Sequence, residues 1–303
     1  MTCPPTHQIR VFSDLHLDMD LVKNKTQHVF FPEPLPGDEH RVLVLAGDIW
    51  HYAKWIKFGS PQFSWIQHLA PRFRHVVIVM GNHDWWRTRL DVKKARDCSQ
   101  LLLSMGVHNV SLLEQSSWTD PLTHWTFVGA TLFTNLGKNL GWADSSCRAA
   151  ALLGSQASMG APPLDSNYRW IASPRHTKLS GLDVARYHQQ TLDTLRTILP
   201  QHNPAKTVLV THYPAYYAPH LFQGLPLPHP SSELSAGLDA NHCPDLFQQA
   251  SIVINGHDHQ ALSTQHQIPG LPWTTRFFVN PRGYPGESTG FDPRLVVDLL
   301  PQA

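Results

Sequence analysis

With 303 residues, 42% of them hydrophobic and 16% charged, the chain has the composition of a folded globular protein rather than a disordered one. Its 24 Lys and Arg stand against 23 Asp and Glu, and a formal net charge of +1 supplies no field for long nucleic acid or an anionic membrane. Cys3, Cys98, Cys147 and Cys243 are scattered without a C-x-x-C pair, which excludes a disulfide framework and argues against a thiolate zinc site.

The 20 histidines are the one compositional pointer to metal or acid–base chemistry. The start, Met1 to Thr6, has neither a basic nor an apolar leader, and no run approaches the ~18 apolar residues of a membrane span. A reducing, cytoplasmic setting without membrane attachment is the expectation.

Taken in order, Ile9–Phe12 reads as a short apolar strand ending in Ser13-Asp14-Leu15-His16, followed by a polar loop over 19–40. Arg41–Ala46 is a second buried strand, closed by Gly47-Asp48. An aromatic stretch leads to a helix from Pro61 to about Leu69, with proline in its first turn. His75–Met80 is the third strand, stopped by Gly81-Asn82-His83-Asp84. Arg87–Met105 has helical composition, with Gly106 where a C-terminal cap belongs.

Val110–Leu113 and Thr126–Phe133 are further strands. Residues 134–180 lose periodicity and read as a lid or insertion, because they lack apolar residues for a core of their own. Asp183 opens a helix that Pro200 stops. Thr207–Val210 runs into Thr211-His212, and a proline-laden substrate loop spans 213–244. Ser251–Asn255 is closed by Gly256-His257-Asp258-His259. Phe277–Val279 leads into Asn280-Pro281-Arg282-Gly283-Tyr284, and Leu295–Leu300 supplies the last strand. No linker splits the chain, so residues 1–303 are expected to form one domain of α/β layers around sheets.

Five of these strands end in polar residues: Asp14-x-His16, Gly47-Asp48, Gly81-Asn82-His83, Thr211-His212 and Gly256-His257-x-His259. Ligands of α/β sheets bind at the carboxyl ends of strands, where such loops converge. The motif glycines let the backbone turn sharply and bring side chains close. Oxygen and imidazole donors without sulfur suit Mn, with Fe, Zn or Ni as alternatives. Asp14, His16, Asp48, Asn82, His212, His257 and His259 are too many for one ion. They fit two, if one carboxylate bridges at roughly 3.5–4 Å separation. Such a pair generates a shared hydroxide for in-line attack on phosphorus, and His83 is the free imidazole to protonate the departing oxygen.

In this order, D-x-H, G-D, G-N-H-D, T-H and G-H-x-H resemble the calcineurin-like metallophosphoesterase superfamily over residues 14–259. Phe127-Val128-Gly129-Ala130-Thr131-Leu132 and the Asn280-Pro281-x-Gly283-Tyr284 tail resemble a bacterial, largely unassigned branch of it. The resemblance implies two packed mixed β-sheets flanked by helices, a four-layer sandwich. It places Asp14, His16, Asp48 and His259 on one ion, with Asp48 bridging to a second that also takes Asn82, His212 and His257. His83 matches the catalytic histidine. Purple acid phosphatases differ in having glycine at the place of His16 and tyrosine at that of His51, so iron–tyrosinate chemistry is not expected, and His51 reads as an exposed loop histidine.

Asp84, Asn255 and Asp258 read as groups that orient neighbours or cap turns. Trp85 and Trp86 are either an aromatic wall for substrate or packing beneath the loop, and Arg282 is either a phosphate fork or a loop arginine. Tyr213 and Tyr216 are candidates to line the pocket. The expected activity is hydrolysis of a small or medium phosphoester. A nuclease or nucleotide phosphodiesterase of the same superfamily is the enzymatic alternative, and a metal-binding scaffold without catalysis is the non-enzymatic one. Substrate, native metals and oligomeric state are not legible.

Overall fold

Runs of Val, Ile and Leu become the central strands of two sheets, where β-branched side chains fit a pleated surface buried on both faces. The computed structural model describes residues 7–23, 29–51, 57–134, 171, 179, 181–216, 238–239, 243–268 and 270–300. The first sheet has the order β13 (Val296–Asp298), β1 (Gln8–Phe12), β2 (Val42–Ala46), β3 (His75–Val79) and β4 (Val110–Leu113). The second runs β11 (Leu262–Gln267), β12 (Thr274–Val279), β10 (Ile252–Asn255), β7 (Thr207–Thr211), β6 (Thr126–Ala130) and β5 (Ser116–Thr119), and a separate pair joins β8 (Ala215–Tyr216) to β9 (Leu238–Asp239).

Both sheets are parallel in the middle and antiparallel at three of their four edges: β13 opposes β1, β11 opposes β12, and β5 opposes β6, while the edge strand β4 runs parallel to β3. Successive residues of a strand point to opposite faces, and the apolar clusters follow that alternation. Val42, Val44 and Ala46 join Val208, Val210, Ile252 and Ile254 in a core between the sheets. Leu43 and Leu45 belong instead to the second cluster, with Phe63, Ile66 and Leu69 of α2 (Pro61–Leu69) and Cys98 and Leu102 of α3 (Lys93–Ser104). Val253 and Leu209 belong to that cluster too, with Val184, Leu192 and Leu195 of α4 (Gly181–Ile198). The result is the expected sandwich of two mixed sheets flanked by helices.

Local chemistry sets several boundaries. Ser60 caps α2 by accepting from the Phe63 amide at 3.1 Å. The helix expected from Arg87 begins only at Lys93, because Arg87 holds φ 61 and the Asp91 carboxylate takes the Lys93 amide. β6 stops at Ala130 rather than Phe133, since Leu132 and Phe133 adopt φ 72 and 53. The loop expected over 19–40 contains the end of α1 (Leu17–Lys23) and a 3-10 turn at Asp38–His40. Most of 134–180 and of 213–244 lies outside the described residues. Among the described residues, no helix is long and apolar enough to cross a membrane.

Candidate metal centre

Six parallel strands, β1, β2, β3, β7, β10 and β12, end at one place, and an isolated bridge between Ser13 and Pro281 ties the two sheets there. Asp14 and His16 follow β1, Asp48 follows β2, Asn82 and His83 follow β3, His212 follows β7, and His257 and His259 follow β10. All seven expected ligands and His83 therefore converge. Close approach is what the motif glycines permit. A Cβ at Gly81 would stand 2.0 Å from Asp48 Oδ1, and one at Gly47 would stand 2.2 Å from His212 Nδ1.

Five of the converging residues hold left-handed backbones, namely Asp14 (φ 49), His16 (φ 44), Asp48 (φ 55), His257 (φ 76) and His259 (φ 49). Non-glycine residues rarely adopt that region, and when they do they cluster at functional sites. The turns are fixed by the carboxylate of Asp84, which accepts from the amides of Asp48 (2.8 Å), Ile49 (3.1 Å), Trp50 (2.8 Å) and Gly81 (2.7 Å). Asp84 thus orients the loops, as its position in the sequence suggested.

The donor atoms form overlapping groups: Asp14, His16 and His259; His16, Asp48 and His83; Asp14, Asp48 and His212. Within each group they lie within 4.8 Å of one another. His16 Nε2 faces His259 Nε2 at 3.0 Å, and Asp14 Oδ1 stands 3.6 Å from the latter. Asp48 reaches both ways, with Oδ2 3.9 Å from His16 Nε2 and Oδ1 3.4 Å from His212 Nε2. Asn82 Oδ1 lies 3.0 Å from His212 Nε2 and 3.1 Å from His257 Nδ1.

The outer nitrogens fix the ring orientations. His212 Nδ1 meets the Ala46 carbonyl at 3.0 Å, and His259 Nδ1 meets Glu287 Oε2 at 2.7 Å. Each of these rings therefore turns Nε2 inward, the arrangement expected of imidazoles that serve cations. Two buried carboxylates and facing imidazole nitrogens form a donor set that divalent or trivalent ions fit.

Electrostatics support that fit. Burial pushes Asp14 up, and it pulls His16 and His257 well below the imidazole range, so both rings offer neutral nitrogens. Burial also opposes the charge on Asp48, but His212 and His83 outweigh it and hold the carboxylate well below its ordinary value. His212 is pulled down by burial, yet the Asp48 charge and hydrogen bond raise it to about 9. With no cation present, a proton at His212 balances Asp48.

The profile of the calcineurin-like phosphoesterases matches residues 7–261. The chain belongs to that family. It is accordingly a metallophosphoesterase, a hydrolase of phosphoester bonds. No curated protein matches it in sequence. Among solved structures it is similar to phosphopantetheinyl hydrolase from Mycobacterium tuberculosis, with 19% identity, a TM-score of 0.57, and coverage of 92% of this chain and 90% of that one. A putative 5'-nucleotidase from Staphylococcus aureus has 12% identity and a TM-score of 0.44, covering 91% of this chain and 49% of that one.

Other residues of this phosphoesterase were left with open readings in the sequence, and one, His51, departs from its expected exposure. Trp85 is fully buried, with its indole donating to Thr131 Oγ1 at 2.9 Å, so it packs beneath the loop and presents no wall to substrate. Arg282 spends its fork on Asp20, at 3.0 and 2.9 Å, and on the Leu15 carbonyl, so it is not a phosphate contact here. His51 is buried rather than exposed, 3.1 Å from Asp18.

Trp86 stacks on His83 with centroids 3.9 Å apart, and Tyr213 stacks on His257 at 4.1 Å. Asn255 is buried at the end of β10, while the side chain of Tyr216 lies outside the described residues. Sequence reasoning missed Tyr284 and Glu287, which close over His83 and His259 from the loop after β12. The signals were that this loop also follows an apolar strand and that Tyr284 ends the Asn280–Tyr284 tail noted for its resemblance, to which no role was given.

Proposed function

We propose that the chain is a dinuclear metal-dependent phosphohydrolase of small or medium phosphorylated substrates. Asp14, His16, Asp48 and His259 would hold one ion, and Asp48, Asn82, His212 and His257 would hold the other, with manganese the best-suited metal. The single observation carrying this reading is Asp48, whose two oxygens face separate sets of imidazoles, toward His16 and toward His212. When bound, the ion pair supplies the nucleophile and neutralises the phosphoryl oxygens.

The protein's own groups do the rest. Asp84 holds the turns that bring Asp48 and Gly81 together. His83, with Nε2 4.0 Å from Asp48 Oδ2, donates a proton to the departing ester oxygen. Burial lowers its pKa, and the charges of Asp48 and Asp18 act in the opposite sense. The near-neutral net charge favours a small substrate over a polynucleotide.

The test is metal-stripped protein reloaded with Mn²⁺. Activity on para-nitrophenyl phosphate or its bis-ester is expected to vanish on stripping and return with about two ions per chain. His83→Ala is expected to keep the metal and lose at least about tenfold in kcat on phenyl phosphate, whose leaving group needs the proton. Activity that survives chelation, or a fully active His83→Ala variant, would overturn the reading. A phosphopantetheinyl diester belongs in the substrate panel because a fold relative is described as a phosphopantetheinyl hydrolase.

A further inference from the structure

The His83 ring is held in its plane but not, by that alone, in its rotation. Trp86 stacks on one face at 3.9 Å and 24°, and His16 meets it edge-on at 4.6 Å. Its Nδ1 is buried and has no hydrogen-bond partner among the described residues. The directional contact is at Nε2, where the phenol of Tyr284 lies 3.1 Å away. We propose that Tyr284 is the positioning residue of His83, fixing the imidazole so that Nε2 meets the departing ester oxygen. The proposal rests on the acid role given to His83 above.

A positioning group must itself be fixed. The Tyr284 ring stacks on His16 at 4.4 Å and 25°. Its amide donates to Glu287 Oε2 at 2.7 Å, the oxygen that also receives His259 Nδ1. The preceding backbone is bound to the first sheet: the Arg282 amide donates to the Ser13 carbonyl at 3.0 Å and the Gly283 amide to the Asp14 carbonyl at 2.9 Å. Gly283 has φ 73, and a Cβ there would stand 2.6 Å from Glu287 Oε2, so the loop closes only with glycine.

A phenol also suits both halves of a proton transfer. Its oxygen takes one branch of a three-centre bond from Nε2–H while His83 is charged, leaving the other branch to the ester oxygen; the N–H bond then breaks as the leaving oxygen gains the proton, and the phenol O–H donates to the bare Nε2.

Tyr284→Phe keeps the stacking and every backbone anchor while removing only the hydroxyl. On phenyl phosphate, whose leaving group needs the proton, kcat is expected to fall at least about tenfold with KM little changed. On para-nitrophenyl phosphate, whose leaving group departs readily as the anion, the loss is expected to be markedly smaller. Adding Tyr284→Phe to His83→Ala is expected to cost nothing further. In chelator-treated protein, side-chain nitrogen NMR is expected to show a shifted His83 Nε2 signal.

Equal losses on both esters, additive losses in the double variant, or loss of bound metal would overturn the positioning role. A His83→Ala variant that stays active would instead sink the acid role itself, and Tyr284 with it. A His83→Ala loss beside an unaffected Tyr284→Phe would sink the positioning role alone.

Discussion

At the scale of single residues, the site is built from conformations the chain would not otherwise choose. Five left-handed residues at roughly 1–3 kcal/mol each are a local cost that only dense bonding sustains. Asp84 provides part of that bonding from one side. From beneath, Glu114 provides more: it is buried, accepts from the Thr131 amide at 2.9 Å and from Thr131 Oγ1 at 2.6 Å, and Thr131 in turn receives the Trp85 indole.

Burial raises the Glu114 pKa from 4.5 to about 7, against the hydrogen bonds from Thr131. Between those values the folded protein keeps a proton that the unfolded chain releases. The stability contributed is therefore complete below about 4.5 and lost as pH rises through about 7, amounting to about 3 kcal/mol. Urea unfolding of wild type and Glu114→Gln at pH 5 and pH 8 isolates the effect. Glutamine keeps the acceptor but not the titration, so the variant is expected to lose that part of the pH dependence; parallel slopes would refute the assignment.

At the scale of elements, the site is a meeting of strand ends, and the end of β12 holds the others together. Asn280 donates to the carbonyls of Val11 and Asp292, both at 2.8 Å, and accepts from the Asp292 amide at 2.9 Å, all through one buried side chain. Asn280→Ala leaves those backbone groups without partners and is expected to cost about 3 kcal/mol. Asn203→Ala removes an exposed cap on the Ala205 amide and is expected to cost about 1 kcal/mol or less. Denaturant midpoints compare the two, and equal costs would show that the Asn280 network carries no special weight.

The strands feeding this junction were legible because full burial makes them continuous apolar runs, as in His75–Val79. β5 and β11 were not, because Ser116–Thr119 and Leu262–Gln267 are half-exposed edge strands with polar residues at alternate positions. The convergence of the candidate ligands was legible because each stands beside a strand-ending motif. The contacts of Tyr284 and Glu287 were not, since they are made to His83 and His259, far from Tyr284 and Glu287 in the chain. For Trp85 and Arg282 the sequence left two readings open, because adjacency to a motif does not tell which way a side chain turns.

At the scale of the whole molecule, the metal centre is a seam. The first sheet contributes Asp14, His16, Asp48 and Asn82, and the second contributes His212, His257 and His259. Cations bound here join the two sheets and are expected to stabilise the entire fold, by about 2.7 kcal/mol for one site at a free concentration a hundredfold above Kd. For a chain of 303 residues that corresponds to a rise in Tm of roughly 4 °C.

The linkage to pH has a definite sign. His16 and His257 are neutral well into the acid range, whereas His212 carries a proton below about 9 that an incoming ion must displace. Metal affinity is therefore expected to rise as pH increases from 6 toward 9, with proton release on binding. Calorimetric titration of chelator-treated protein with Mn²⁺ at several pH values measures both quantities. In His212→Ala the second ion is expected to be lost, and the proton release with it. Binding that is independent of pH in wild type, or an unchanged Tm after metal removal, would mean that the ions do not join the sheets through His212.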